Sequence, residues 1–260
     1  RVHGQGAIVV RQHLAVIEGS AEPMPGYRLL LLECPTLAEG ARPGQFVMAR
    51  ASAGRDPYLR LPLPIHRFRE HGIALLYRPS QSGHASLSAH RPGDTLDLLG
   101  PGGAGFALPT GVANVAVICQ GTGLAPLIGI LDRVAGPSQL ILGAATASQA
   151  YPRELLPSEV EYAPHIGLSQ GDAFWQAVTA ACRWANHVYA VGPTPFYRQL
   201  LRVWESTRLR PQPDALQVWV EVDMACGMGV CDGCLVETKQ GPRHACTDGP
   251  AFNLVDLVLA

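Results

Sequence analysis

Four of the seven cysteines, Cys226, Cys231, Cys234 and Cys246, fall within 21 residues near the C-terminal end, and nothing else in the chain narrows its fold as far. An odd total with four crowded together does not read as a secreted disulfide framework; it reads as a metal site in a reducing compartment. Spacing narrows the metal. Cys226-Gly-Met-Gly-Val-Cys231-Asp-Gly-Cys234 is C-x4-C-x2-C, and Cys246 follows after eleven intervening residues. Structural zinc sites commonly join two C-x2-C knuckles, and only one such short pair is present. The C-x4-C-x2-C…C order is the spacing of plant-type [2Fe–2S] centres, with zinc or chance clustering as the alternatives. Gly227, Gly229 and Gly233 supply the backbone freedom a loop needs to wrap a cluster and aim N–H groups at its sulfurs. Met224, Met228 and Val230 are the expected apolar cover, and Cys34, Cys119 and Cys182 read as small buried hydrophobes.

Composition excludes several classes. The 260 residues are 47% hydrophobic and 16% charged with a formal net charge of −1, too apolar and too balanced for disorder. The same balance argues against nucleic acid or an anionic membrane as the main partner, and the arginines are scattered rather than clustered. No apolar run reaches the roughly 18 residues of a membrane span. With no signal-peptide pattern at the start, the cytoplasm is the expected compartment. Nine histidines are dispersed, and no Ser-His-Asp or His-x-x-x-His arrangement stands out, so no catalytic acid–base residue is expected.

Residues 1–108 read as short strands at 7–17, 27–33, 45–49, 72–77 and 95–99, broken by Gly- and Pro-containing turns, which suggests a small antiparallel β-barrel. Residues 109–222 alternate apolar runs at 115–119, 140–143, 187–191 and 216–222 with helical periods at 123–134, 173–184 and 195–207. That alternation predicts an α/β doubly wound parallel sheet. Residues 223–260 then form a small cysteine module. After the first sheet strand comes Gly121-Thr122-Gly123-Leu124-Ala125-Pro126, and Gly192-Pro193 follows the 187–191 strand. A glycine turn between strand and helix lets a dinucleotide pyrophosphate approach the backbone, so these residues are the expected NAD site, a plain tight turn being the alternative.

A barrel, then the Gly121–Pro126 turn, then Gly192-Pro193, then a plant-type cysteine pattern resembles the ferredoxin-reductase-like flavoproteins in order over the whole chain. Within them, Met224-Ala225-Cys226-Gly227-Met228-Gly229-Val230-Cys231-Asp232-Gly233-Cys234 and Cys246-Thr247-Asp248-Gly249-Pro250-Ala251-Phe252 resemble the electron-transfer subunits of type B dihydroorotate dehydrogenases. That resemblance implies FAD between barrel and nucleotide domain, hydride exchange with NAD(H), and a cluster passing single electrons to or from a separate FMN-containing catalytic subunit. It also implies the FAD residues. The family's Arg-Pro-x-Ser signature aligns with Leu61-Pro62-Leu63-Pro64, with Arg60 one position early; Arg60, Arg67 and Arg78 are the guanidiniums at hand to compensate. Tyr77-Arg78 and Gly83-His84-Ala85-Ser86-Leu87-Ser88 match the second flavin motif, with His84 where relatives carry Thr. Gly143-Ala144-Ala145-Thr146 offers no arginine for a 2′-phosphate, which points away from NADP, and Val191 stands where many relatives have Cys. The alternatives are an equivalent subunit of another NAD(P)H oxidoreductase or hydrogenase-type complex, and a flavin-poor relay that uses the cluster alone.

Overall fold

A computed structural model describes residues 10–52, 54, 56–80, 83–167, 171–208, 212 and 214–259. The first unit is a closed barrel of six antiparallel strands: β1 (Arg11–Ala21), β2 (Arg28–Glu33), β3 (Phe46–Ala49), β4 (Leu61–Arg69), β5 (Gly72–Tyr77) and β6 (Thr95–Gly102), in spatial order β1-β2-β5-β4-β3-β6. Two short helices, α1 (Pro35–Gly40) and α2 (His84–Leu87), lie in its connections. Period-two alternation builds its interior: Ala15 and Ile17 of β1, Leu61, Leu63 and Ile65 of β4, and Leu96 and Leu98 of β6 all point inward. Leu14 and Val16, on either side of Ala15, stay outside and exposed. β4 runs well beyond the apolar stretch 61–65, and its two prolines weaken the strand signal in the sequence. Positions 7–9 of the first expected strand lie outside the described residues.

The second unit contains β7 (Val115–Gln120), α3 (Ile128–Leu131), β8 (Ser138–Ala144), β9 (Glu161–Ile166), α4 (Asp172–Trp184), β10 (His187–Val191), α5 (Thr194–Thr207) and β11 (Leu216–Trp219). A two-stranded hairpin, β12 (Leu235–Val236) with β13 (Arg243–His244), leads to β14 (Ala251–Asn253). The large sheet has the order β14-β11-β10-β7-β8-β9. Strands β7 to β11 pair in parallel, whereas β14 pairs antiparallel with β11 and carries the end of the cysteine segment back into the sheet. The strand order reverses between β7 and β10, the place where open α/β sheets bind ligands.

The helix expected over 123–134 shrinks to the four residues of α3. Pro126 has no N–H and keeps Ala125 out of helical backbone, so the glycine turn opens into a loop rather than a helix N-terminus. In the large sheet, β9 and β14 were not legible in the sequence. β9 is an edge strand with half-exposed residues, and β14 is too short to show a period. The last parallel strand stops at Trp219, three residues before its expected end.

Helices α4 and α5 cover one face of the sheet through Phe174, Val178, Leu200 and Trp204. On the other face Val117, Cys119, Leu140 and Leu142 join one buried cluster with Tyr27, Leu76 and Phe106 of the barrel unit. The barrel's outer wall thus serves as the sheet's second covering layer. His66 of β4 reinforces the junction: its Nδ1–H donates to the Ala125 carbonyl at 3.0 Å, and its Nε2 accepts from the Tyr151 hydroxyl at 3.0 Å. Arg67 beside it donates to both Asp132 oxygens, at 2.9 and 2.7 Å, and to the Leu155 carbonyl. No helix among the described residues is long and apolar enough to cross a membrane.

His66 is buried, and burial pulls its imidazole down to about 4 from the usual 6.5, against the opposing hydrogen bond to Ala125. Between those values the unfolded chain binds the proton and the folded one does not. Stability that is whole above pH 6.5 is therefore lost as pH falls toward 4, by roughly 3 kcal/mol at the lower end. Urea midpoints followed from pH 7 to 4 should fall less steeply for His66→Phe than for the native chain, by about one proton; equal slopes would show that His66 does not carry the dependence.

Candidate functional site

Where the barrel and the C-terminal edge of the sheet diverge they leave a cleft of about 510 Å³. β4 contributes Leu61, Pro62, Leu63 and Pro64; β5 ends there with Leu76, Tyr77 and Arg78; α2 adds His84. Across from them lie Thr122, Gly123, Ala125 and Pro126 of the β7–α3 loop, Val191 at the end of β10, and Trp219 to Met224 around the end of β11. Hydrogen bonds set the walls. The Tyr27 hydroxyl donates to the Thr122 carbonyl at 3.1 Å, and the Trp219 indole N–H donates to the Gly44 carbonyl at 3.0 Å, so each spans the two units. Tyr77 shares a 3.0 Å hydrogen bond with Ser88 and stacks on His84, ring centroids 5.7 Å apart.

Arg78 is the chief polar feature of this cleft. Its guanidinium lies 5.7 Å from the Tyr27 ring centroid, and its Nε is buried with no hydrogen-bond partner. A buried donor without an acceptor costs about 1–3 kcal/mol, and an anionic oxygen arriving in the cleft would satisfy it. Gly123 lets the loop approach β10: a Cβ there would meet Val191 Cγ1 at 2.6 Å.

Of the residues expected at a flavin, Leu61, Pro62, Leu63, Pro64, Tyr77, Arg78 and His84 line the cleft, and of those expected at NAD, Thr122, Gly123, Ala125 and Pro126 do. Others stand back. Arg60 points away, in a 2.7 Å ion pair with Asp97 and a 2.9 Å bond to the Asp97 carbonyl. Arg67 is spent on Asp132, as described, which leaves Arg78 as the arginine on the cleft wall. Leu87 and Leu124 are fully buried, and Ser88 acts on Tyr77 from behind. Gly83, Gly121, Gly192 and Pro193 lie off the wall, and the Gly192 N–H is taken by the Tyr197 hydroxyl at 3.2 Å. Tyr27, Leu76, Trp219, Glu221, Val222 and Asp223 are wall residues that sequence patterns did not single out. For the last four the only available signal was position, at or just past the end of the final parallel strand, on the ligand-binding edge of the sheet.

The cysteine segment starts beside that wall. Cys234 and Cys246 are buried, Cys226 is half-buried and Cys231 is exposed. Cys226 interacts with Cys231, and Cys246 with both Cys234 and Cys226. Among the described residues no three His, Cys, Asp or Glu side chains close around one point as a mononuclear metal site would require. Gly227 and Gly229 have φ of 72° and 76°, and Asp232 follows at 55°. That left-handed path turns N–H groups inward: Met228 N–H lies 3.4 Å from Cys226 Sγ and Gly229 N–H lies 3.1 Å from Cys246 Sγ. Burial raises the Cys226 thiol, but the Met228 and Val230 N–H groups together with Cys231 outweigh it and bring the thiol down to about 6. Burial and the neighbouring Cys234 push Cys246 up to about 12. Asp232 and His244 tie the loop to the hairpin at 2.6 Å, and Ala245 N–H donates to the Cys234 carbonyl at 2.9 Å. Met224, Phe46 and Met48 pack with Cys234, Ala245 and Cys246 in one buried group, which seats the segment on barrel strand β3. Met228 and Val230, expected as cover, are instead exposed at 45% and 74%. Of the expected cover only Met224 is buried there; Phe46 and Met48 of the barrel supply the rest, and Met228 and Val230 are exposed.

Residues 221–258 match the family model described as the iron-sulfur cluster binding domain of dihydroorotate dehydrogenase B. The electron transfer subunit of dihydroorotate dehydrogenase B (NAD(+)) from Desulforamulus reducens is 30% identical over 245 residues, covering 88% of this chain and 91% of the relative. That of Geobacillus kaustophilus is likewise 30% identical, covering 88% and 92%. Among solved structures, the NADH-dependent reduced ferredoxin-NADP oxidoreductase superposes with a TM-score of 0.76 at 22% identity, over 95% of this chain and 90% of that one. The ferredoxin reductase of carbazole 1,9a-dioxygenase gives 0.64 at 18% identity, over 82% and 70%. Those two likenesses establish the ferredoxin-reductase-like fold. From its sequence relatives, this chain belongs to the family of dihydroorotate dehydrogenase B electron transfer subunits.

Proposed function

We propose that this chain relays electrons for a dihydroorotate dehydrogenase B, with FAD in the cleft, NAD(H) entering over the Thr122–Pro126 loop, and a [2Fe–2S] cluster on Cys226, Cys231, Cys234 and Cys246. The observation that carries this reading is Met224. It lines the cleft and also packs in the buried group that contains Cys234 and Cys246, so one side chain separates the two sites. On this reading residues 1–108 are the FAD-binding barrel, 109–222 the NAD-binding unit and 223–260 the cluster module, and the chain works in the cytoplasm beside a catalytic FMN-containing subunit. Seven free thiols support a reducing compartment.

Bound in these sites, the flavin would exchange hydride with the nicotinamide and single electrons with the cluster, a conversion neither of the other carriers performs alone. The chain's own part is to bind and orient. Arg78 offers its unpartnered Nε to an anionic phosphate oxygen, and Tyr27 braces that guanidinium while tying the barrel to Thr122. Leu61, Leu76, Val191 and Trp219 supply apolar surface that keeps water off a ring system. At the cysteines, inward N–H groups stabilise thiolate charge, and Met48 and Phe46 shield the buried pair. The C-x4-C-x2-C…C spacing of these cysteines suits a [2Fe–2S] centre better than one tetrahedral zinc.

Two outcomes test this. Arg78→Gln should weaken FAD binding by roughly 10–100-fold, the worth of a lost charge-assisted hydrogen bond of about 1.5–3 kcal/mol; unchanged affinity in a fluorescence titration would remove Arg78 from the site. Serine at any one of Cys226, Cys231, Cys234 or Cys246 should abolish the cluster's visible absorption and the EPR signal of the reduced protein while FAD remains bound. Purified protein that carries zinc, with no EPR signal after reduction, would refute the relay.

A further inference from the structure

His66 is buried on β4 and makes two hydrogen bonds, one to each of two loops that leave the same edge of the sheet. The Ala125 carbonyl, which accepts from its Nδ1–H, belongs to the loop after β7 that lines the cleft. Tyr151, whose hydroxyl donates to its Nε2, follows the turn after β8. That turn is compact. The Ala145 N–H donates to Gln149 Oε1 at 3.1 Å, the Gln149 N–H to the Thr146 carbonyl at 3.1 Å, and the Ala150 N–H to the Ala147 carbonyl at 3.0 Å. Strands β7 and β8 are neighbours and run parallel, so their two loops lie side by side. A side chain that comes from neither loop therefore fixes one relative to the other. Burial removes water as a competing partner, so opening either bond leaves a polar group unsatisfied. Arg67, next along β4, holds Asp132 just past α3 and the Leu155 carbonyl, farther along the chain from each loop.

With NAD(H) entering over Thr122–Pro126, its nicotinamide end has to reach the flavin cleft, whose wall continues to Val191 at the end of β10 and to Trp219–Met224 at the end of β11. In the sheet order β11-β10-β7-β8, that direction leads away from β8. The other half of the dinucleotide then runs the opposite way, over the turn after β8, because neighbouring strands are only about 4.8 Å apart and a dinucleotide is far longer. We propose that His66 is a positioning residue for NAD(H): it sets the spacing between the loop after β7 and the turn after β8, so that a ligand spanning both is held more tightly than either of its halves. The inference rests on the NAD(H) site proposed above. Two linked half-sites reinforce each other only when their separation matches the ligand that joins them. His66 itself stands off the cleft wall and acts through Ala125 and Tyr151 alone.

Equilibrium titrations of NAD+, AMP and nicotinamide mononucleotide into the full chain loaded with FAD test this. His66→Leu and, separately, Tyr151→Phe should each weaken NAD+ by about tenfold, the effect of one buried hydrogen bond, and each mononucleotide by less than about twofold. The two substitutions together should cost no more than His66→Leu alone, because both cut the same link. Tyr151→Phe removes one hydroxyl and keeps the ring, so it reads the link even where His66→Leu fails to fold. NAD+ affinity that stays native in the folded variants, or NAD+ and both mononucleotides weakened alike, would overturn the inference and leave the NAD(H) site standing. A native chain that binds no NAD+ would overturn both together.

Discussion

A parallel sheet has to be buried on both faces, and in this chain one of those faces is covered by another folding unit. Helices α4 and α5 close one side in the usual way. On the other, α3 is a single short turn, and the barrel's Tyr27, Leu76 and Phe106 complete the layer. The barrel and the sheet consequently share a core, and the arrangement of every polar group between them is inherited from that contact. His66 and the Arg67–Asp132 pair stand in this junction, where burial depresses the His66 imidazole. The cleft is what remains where the shared layer ends and the two surfaces part.

The cleft's chemistry is unevenly distributed. Its barrel-side strand β4 contributes Leu and Pro residues, while the end of β5, the α2 turn and the Thr122 loop hold hydroxyls, an imidazole and the Arg78 guanidinium. Beyond its far end, Met224 passes from this wall into the core under the cysteines. One side chain, Met224, therefore lies against both the cleft and the buried cysteines. The four thiols differ in exposure, Cys231 reaching the surface and Cys234 and Cys246 buried against barrel residues. On the proposed reading, such asymmetry would give the two irons of a cluster different surroundings.

Much of the architecture could be read from residues alone. Apolar runs at 115–119, 140–143 and 187–191 correspond to β7, β8 and β10 because central parallel strands are buried on both faces and need no alternation. Helices at 173–184 and 195–207 carried their own period and came out within one residue of α4 and α5. Where the reading missed, a neighbour had overridden the local pattern. Pro126 and the Gly123–Val191 contact convert an expected helix into a loop, a carboxylate on a distant strand draws Arg60 away from the cleft, and barrel side chains displace Met228 and Val230 from the role of cover.

The spacing of four cysteines and three glycines, and the order barrel, glycine turn, cysteine segment, were determined by the sequence itself, because ligand spacing and turn chemistry act over a few bonds. Only the tertiary structure decided which arginine faces the cleft, which residue joins the cleft to the cysteines, and that β14 would return to pair with β11. Those outcomes depend on partners tens to hundreds of residues away, whose burial and pairing exist only once both units have packed against each other.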